Sequence, residues 1–323
     1  MEREDNVSRK PLKIVFFGTP EFAVASLDKI LQSGHDVSAV VTAPDKPAGR
    51  GRKLRESDVK KYARNKGLKI FQPEDLKDPS FIEALKNLNP DVGVVVAFRK
   101  IPKEVYTIPR LGTFNLHASL LPDYRGAAPI NHVIINGEKK TGVTTFFIND
   151  RIDSGEIIIQ EEITIEKDET AGSLHDKLKY LGAEVVVKTL KKLSRGNVET
   201  IQQNPSRFIH KAPKLNKDNT RINWDENGEK IERFIRGLSP YPGAWSWYKI
   251  SKDWKKIKIF LAEFQPEKHN FSPGKVAFFN KKLKIAVPDG WILPLRVKPE
   301  SKKEMNIQDF INGIKSVEEL TFK

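Results

Sequence analysis

The chain has no cysteine, which excludes disulfides, thiolate nucleophiles and cysteine-based zinc sites together. Long apolar runs are also missing: none approaches the roughly 18 residues needed to cross a bilayer, and Met1 to Lys10 lacks the apolar segment of a secretory signal. The expectation is a soluble, cytoplasmic protein. Histidines are few (His35, His117, His132, His175, His210 and His269), and no two have the H-x-x-x-H spacing of a zinc helix, so no metal is expected. Glycines are scarce where a dinucleotide-binding turn would need them. Gly18-Thr19-Pro20-Glu21 follows the first apolar run with a single glycine, and Pro20 sits at the helix start. That pattern predicts a tight strand-to-helix turn rather than a pyrophosphate site, and NAD is set aside.

Acidic residues are under-represented too, with 42 Asp and Glu against 56 Lys and Arg and a formal net charge of +14. Such an excess suits an enzyme that holds a polyanion, nucleic acid being the obvious candidate, although surplus lysine also serves solubility. At 323 residues with 38% hydrophobic content, the chain can fill two separate cores.

From Lys13 the pattern alternates. Lys13–Phe17, Val37–Val41, Leu68–Phe71 and Val92–Ala97 read as strands, with helices after Pro20, over Ser57–Asn65 and from Asp78-Pro79 to Leu88. This βαβαβαβ rhythm predicts a doubly wound, mostly parallel α/β sheet, Rossmann-like, with ligands at the carboxyl ends of its strands. Thr141–Phe147 and Ile157–Ile165 read as further strands, and Thr170 to about Leu193 as a long helix stopped near Gly196. Residues 202–217 are polar and basic with Pro205 and Pro213, which reads as a linker. Beyond them, a helix over Asn227–Gly237 precedes short alternating runs (Lys256–Leu261, Lys275–Phe279, Leu283–Val287, Trp291–Val297), the pattern of a small β-barrel, OB-like. The predicted division is a polar tail 1–12, a catalytic domain 13–201, a basic linker 202–217 and a C-terminal β domain 218–323.

Three polar residues carry the chemistry. Asn115 and His117 lie two apart on a predicted strand, so both side chains leave the same face and can converge on one carbonyl oxygen. Asp153, in Asp153-Ser154-Gly155 between two strands, could orient the imidazole, although the tripeptide is also an ordinary turn. An amide, an imidazole and a carboxylate suit acyl transfer to an outside amine, which needs hydrogen-bond donors and a proton acceptor but no enzyme nucleophile. Ser119, Leu120, Leu121 and Pro122 form a loop where a flat heteroaromatic ligand could lie close to backbone. Thr42 to Leu54 is a long basic connection without predicted structure, and Arg50, Arg52, Lys53 and the following Arg55 could grip phosphates.

Asn115-x-His117, Ser119-Leu120-Leu121-Pro122, Arg125-Gly126-Ala127-Ala128-Pro129-Ile130 and Asp153-Ser154-Gly155 together resemble the methionyl-tRNA formyltransferase family, over nearly the whole chain from Lys13. The resemblance implies formyl transfer from 10-formyltetrahydrofolate to the α-amine of methionyl initiator tRNA, with Asn115, His117 and Asp153 as catalytic residues. It implies a pterin pocket beside Phe98 and the Ser119–Pro122 loop. Pro44 to Leu54 looks like the insertion that contacts the acceptor stem, with Arg50 foremost. Lys211 and Lys214 of the linker, with lysines of the β domain, would add tRNA contacts. Two departures stand out: Phe98-Arg99 where the family usually has Tyr-Gly, and Arg55-Glu56 where a proline commonly precedes the serine. A monomer is expected. The alternatives are a folate-dependent formyltransferase acting on an amino sugar nucleotide and a catalytically silent tRNA-binding relative.

Overall fold

The computed structural model describes residues 11–48, 53–196, 198–250, 253–279, 282–314 and 319–323. In chain order the first elements are β1 (Lys13–Gly18), α1 (Glu21–Gln32), β2 (Asp36–Val41), β3 (Lys46–Ala48), β4 (Lys53–Arg55), α2 (Asp58–Asn65) and β5 (Ile70–Phe71). There follow α3 (Pro79–Asn87), β6 (Val92–Val96), α4 (Lys103–Tyr106), β7 (Thr113–His117), β8 (Arg125–Gly126) and α5 (Pro129–Ile135). Next come β9 (Lys140–Phe147), β10 (Ile157–Thr164), α6 (Ala171–Ser194), β11 (Lys211–Ala212) and α7 (Gly228–Gly237). The chain ends with β12 (Ala244–Ile250), β13 (Asp253–Pro266), β14 (Val276–Phe279), β15 (Lys282–Val287), β16 (Gly290–Pro299), β17 (Met305–Asn306), α8 (Ile307–Asn312) and β18 (Thr321–Phe322).

Two compact units result, each discontinuous in sequence, whereas the sequence reading divides the chain once. One comprises residues 1–125, 142–163 and 176–211, the other 126–141, 164–175 and 212–323. The first holds a seven-stranded sheet in the order β10-β9-β7-β6-β1-β2-β5. Its central pairs are parallel, and β9 runs antiparallel to β7. All five residues of β6 are buried, as expected of a parallel strand covered on both faces.

Local signals set most helix ends. The Ser57 hydroxyl accepts from the Lys60 amide at 3.0 Å and the Asp78 carboxylate from the Ser80 and Phe81 amides, while Thr170 accepts from Ser173. Strand β5 is shorter than the predicted Leu68–Phe71 because the Leu68 amide returns to the Ala63 carbonyl, closing α2 over a left-handed Gly67. Helix α6 packs closely on β7: a Cβ at Gly182 would come within 2.7 Å of Leu116, so glycine there sets the helix against the strand that carries Asn115 and His117.

The second unit is an antiparallel sheet in the order β14-β15-β16-β13-β12-β18, with β17 added beside β16. Register shifts around Leu261 in the 14-residue β13 coil that strand, and a bridge between Lys275 and Thr321 brings the two ends of the sheet together. Ile231 and Ile235, one turn apart on α7, are buried with Ile257, Ile259, Ile285 and Ile292 in its core. Among the described residues no helix is long and apolar enough to cross a membrane.

Candidate active site

Asn115 and His117 leave the same face of β7, His117 buried and Asn115 half-buried. The Asn115 carboxamide forms no hydrogen bond with any described residue, so its N–H groups are available to a ligand. The His117 ring is held at one end: Nε2 lies 2.9 Å from the Tyr124 carbonyl. A backbone carbonyl only accepts, so Nε2 carries the hydrogen, and Nδ1 is left facing the Asp153 carboxylate at 3.9 Å. Neutral imidazole Nδ1 and ionised carboxylate are both acceptors. A hydrogen bond between them therefore needs a proton on one of the two, and a proton on Nδ1 makes the ring a donor.

The loops around this pair are bent in ways that side chains rarely adopt. Ala97, Tyr124 and Asp153 all have positive φ (47°, 58° and 49°), each at a strain of the order of 1–2 kcal/mol. Gly155 answers a different demand: a Cβ there would sit 1.6 Å from the Phe147 carbonyl oxygen, so only glycine lets the Asp153 turn close onto the end of β9.

The other residues singled out from sequence divide into those that face the site and those that support it. Ser119 is fully buried, and its hydroxyl donates to the Asp123 carbonyl at 2.8 Å, a bond within the loop. Leu121 is buried with Phe146 and Ile157, Pro122 is buried after a cis peptide, and Leu120 and Phe98 are half-buried. Arg99 does not turn inward: its guanidinium donates to the Pro73 and Glu74 carbonyls at 2.5 and 2.7 Å. A hollow of about 510 Å³ lies on the Arg99 and Asp150 side, and none of Asn115, His117 and Asp153 lines it.

The long basic connection, expected to lack structure, forms an antiparallel ribbon in which Lys46 to Ala48 pair with Arg55 to Lys53. Arg50 and Arg52 lie outside the described residues, and only the backbone of Lys53 is described. What the sequence reading missed is the foot of this ribbon. Asp45 accepts from Lys60 at 2.5 Å and from Gln72 at 2.8 Å, and Glu56 accepts from Arg64 at 2.6 Å. The Lys60 hydrogen bond, then that of Gln72, holds the Asp45 carboxyl below its ordinary value. A carboxyl lowered on folding stabilises at pH above its ordinary value of 3.8 and loses that contribution as the pH falls through the lowered one. Asp45→Asn is accordingly expected to leave the fold intact and to speed trypsin cleavage at the Arg50, Arg52 and Lys53 peptide bonds several-fold at neutral pH. Unchanged cleavage kinetics would show that the ribbon does not depend on this anchor.

On the barrel, Trp245 and Trp247 meet edge to face with centroids 5.6 Å apart, and the Lys256 ammonium lies 3.8 Å over the Trp245 ring. Burial, then Lys258 and Lys217, pushes the pKa of Lys256 down. Lys211 and Lys214 are exposed.

A profile of the family described as "Formyl transferase" matches residues 12–190, and one described as "Formyl transferase, C-terminal domain" matches residues 214–315. The methionyl-tRNA formyltransferase of Flavobacterium johnsoniae is 52% identical over 303 residues, covering 94% of this chain and 96% of that protein. The chain belongs to the methionyl-tRNA formyltransferase family. The Parabacteroides distasonis member is 45% identical and covers 98% of this chain and 99% of its own. Among solved structures, an N-formyltransferase from Helicobacter canadensis in complex with folinic acid and dTDP-3-aminofucose superposes with a TM-score of 0.63 at 23% identity, over 88% of this chain and 98% of that one. HypX from Aquifex aeolicus in complex with tetrahydrofolic acid gives 0.63 at 19% identity, over 94% of this chain and 47% of that one. These likenesses establish the Rossmann-like parallel sheet followed by an antiparallel barrel as a formyltransferase fold. The chain is a transferase, and its family uses folate derivatives.

Proposed function

We propose that this protein moves the formyl group of 10-formyltetrahydrofolate to the α-amine of methionine esterified to initiator tRNA, in the cytoplasm and as a monomer. The observation that carries the reading is the His117–Asp153 pair: a ring fixed by the Tyr124 carbonyl presents Nδ1 to a carboxylate at 3.9 Å, beside an unpaired Asn115 amide. That donor set fits a carbonyl that becomes an oxyanion and an amine that must lose a proton.

In the transfer, a carbon–nitrogen bond forms between the amine and the formyl carbon, and the bond from that carbon to N10 of the folate breaks. Asn115 donates to the formyl oxygen as it becomes negative. His117 and Asp153 receive the proton of the attacking amine, and His117, now carrying it on Nδ1, joins Asn115 as a donor to the oxyanion. The same proton then passes to the departing nitrogen, which leaves the pair as it began. Phe98, Leu120, Leu121 and Pro122 line the approach of the flat pterin, with Ser119 pinning their loop from beneath. Arg50, Arg52, Lys53, Lys211 and Lys214 carry charge toward tRNA phosphates, and the Trp245, Trp247 and Lys256 cluster supplies a stacking and cationic surface of the type that favours RNA. The net charge of +14 supports the same partner.

The test is formyl transfer from 10-formyltetrahydrofolate with methionyl initiator tRNA, methionyl elongator tRNA and an amino sugar nucleotide as competing acceptors. Initiator-selective transfer is expected. Transfer to the sugar alone would move the acceptor to the alternative class, and salt-sensitive tRNA binding with no transfer would make the protein a silent relative.

A further inference from the structure

The segment read from sequence as a basic linker, residues 202–217, has near its start a residue that is locked into the candidate site. Gln203 donates from its side-chain nitrogen to the carbonyls of Asp153 at 3.0 Å and Gly155 at 2.8 Å, so one amide clamps both ends of the Asp153-Ser154-Gly155 turn. Its oxygen accepts from the Arg125 guanidinium through Nε at 3.1 Å and Nη2 at 2.5 Å. Arg125 is half-buried with its guanidinium 5.1 Å from the Phe208 ring. All four hydrogen-bonding functions of the carboxamide, two donors and two lone pairs, are thus in use, which fixes its orientation: the oxygen must face Arg125 and the nitrogen the turn.

Asp153 needs such a clamp. Its φ of +49° is unfavourable for a side-chain-bearing residue, and strain of that kind persists only where surrounding bonds over-determine the backbone. His117 Nδ1 and the Asp153 carboxylate stand 3.9 Å apart, beyond a hydrogen bond, so where the backbone turn is held bears directly on their separation. The same segment also steadies the opposite end of the imidazole. Tyr124, whose carbonyl takes the His117 Nε2 hydrogen, has its own amide bonded to the His210 carbonyl at 3.0 Å and its ring stacked on the His210 ring at 5.0 Å. His210 is in turn fixed by Asp123, through Nδ1 at 2.9 Å and through its backbone amide at 2.5 Å. Residues 203–210 therefore brace both partners of the catalytic imidazole.

We propose that Gln203 is a positioning residue that sets the Asp153 carboxylate against His117 by clamping the carbonyls of Asp153 and Gly155. The proposal rests on the reading of Asp153 as a proton-carrying residue of formyl transfer. A misplacement of about 1 Å in a reacting constellation can lower turnover by about 10²-fold, so loss of the clamp lowers kcat while binding of tRNA and of the formyl donor is retained.

The experiment is a double-mutant cycle on the full chain, with kcat and both KM values measured for Gln203→Ala, Gln203→Glu, Asp153→Asn and the combination of Gln203→Ala with Asp153→Asn. Gln203→Ala is expected to lower kcat about 10- to 100-fold, with both KM values within about threefold of the parent. Gln203→Glu keeps the acceptor for Arg125 but has no N–H to give to the carbonyls, so it should fall with Gln203→Ala, and it carries the test alone if the alanine variant does not fold. In the Asp153→Asn background the alanine change should add less than about twofold, because a residue that acts through Asp153 has nothing further to lose. An equal loss of kcat in both backgrounds would mean a general structural role and overturn the proposal, as would parental turnover in Gln203→Glu. Should Asp153→Asn itself turn over normally, the reading of the site fails. Should Asp153→Asn lose turnover while Gln203→Ala does not, the site stands and the clamp falls.

Discussion

His117→Ala is expected to lower kcat for formyl transfer by about 10²- to 10³-fold, the usual loss when a preorganised oxyanion donor is removed, and to leave the KM for tRNA within about threefold. The ring's two nitrogens have separate duties. Nε2 is tied to the Tyr124 carbonyl at 2.9 Å, so its role is orientation, and only Nδ1 can meet Asp153 or the formyl oxygen. Alanine removes the proton receiver and the donor in one step and leaves every lysine and arginine of the basic ribbon in place, so tRNA affinity has no reason to move. Steady-state kinetics with methionyl initiator tRNA, beside a tRNA-binding titration, reads both quantities. Near-parental turnover in a folded His117→Ala protein would remove the imidazole from the reaction.

Arg50→Ala should do the reverse. One charge-assisted contact to RNA contributes on the order of 1.5–3 kcal/mol, so the KM for initiator tRNA should rise about 10- to 100-fold, with the KM for the formyl donor unchanged. If the contact is to a phosphate, the slope of log affinity against log salt should also fall by about one. The ribbon supports this separation of roles: its strands Lys46–Ala48 and Lys53–Arg55 are anchored by Asp45, Lys60 and Gln72, none of which touches Asn115, His117 or Asp153. Unaltered tRNA kinetics in Arg50→Ala would show that the basic loop does not read the acceptor. Together the two variants divide chemistry from recognition, since each is expected to move the parameter that the other leaves alone.

Much of this molecule could be read from the chain by itself, because the signals concerned are local. The buried run at β6 and the alternation before it announce a doubly wound sheet, and the caps at Ser57, Asp78 and Thr170 lie where a short polar side chain precedes an apolar period. Asn115 and His117 share a face because a strand repeats every two residues. None of these needs a partner distant in sequence.

Tertiary structure alone decided the rest. Asp153 follows His117 by 36 positions, and only the turn closed by Gly155 against Phe147 brings the carboxylate to 3.9 Å. Gln203 lies 50 residues beyond Asp153 and 78 beyond Arg125, in a segment whose polar, proline-bearing composition reads as a linker because composition records solubility and not which carbonyls an amide will meet. The antiparallel placing of β9 beside β7, the closing of the barrel through Lys275 and Thr321, and the anchoring of the basic ribbon by Asp45 are of the same kind. The sequence by itself determined which groups are candidates for the chemistry and where most strands and helices of the first sheet lie, since side-chain chemistry and backbone periodicity are properties of neighbours. The distance between His117 and Asp153, the tautomer imposed by Tyr124 and the brace formed by Gln203 and His210 were decided only when remote segments packed, because a hydrogen bond acts over about 3 Å whatever the length of chain between its partners.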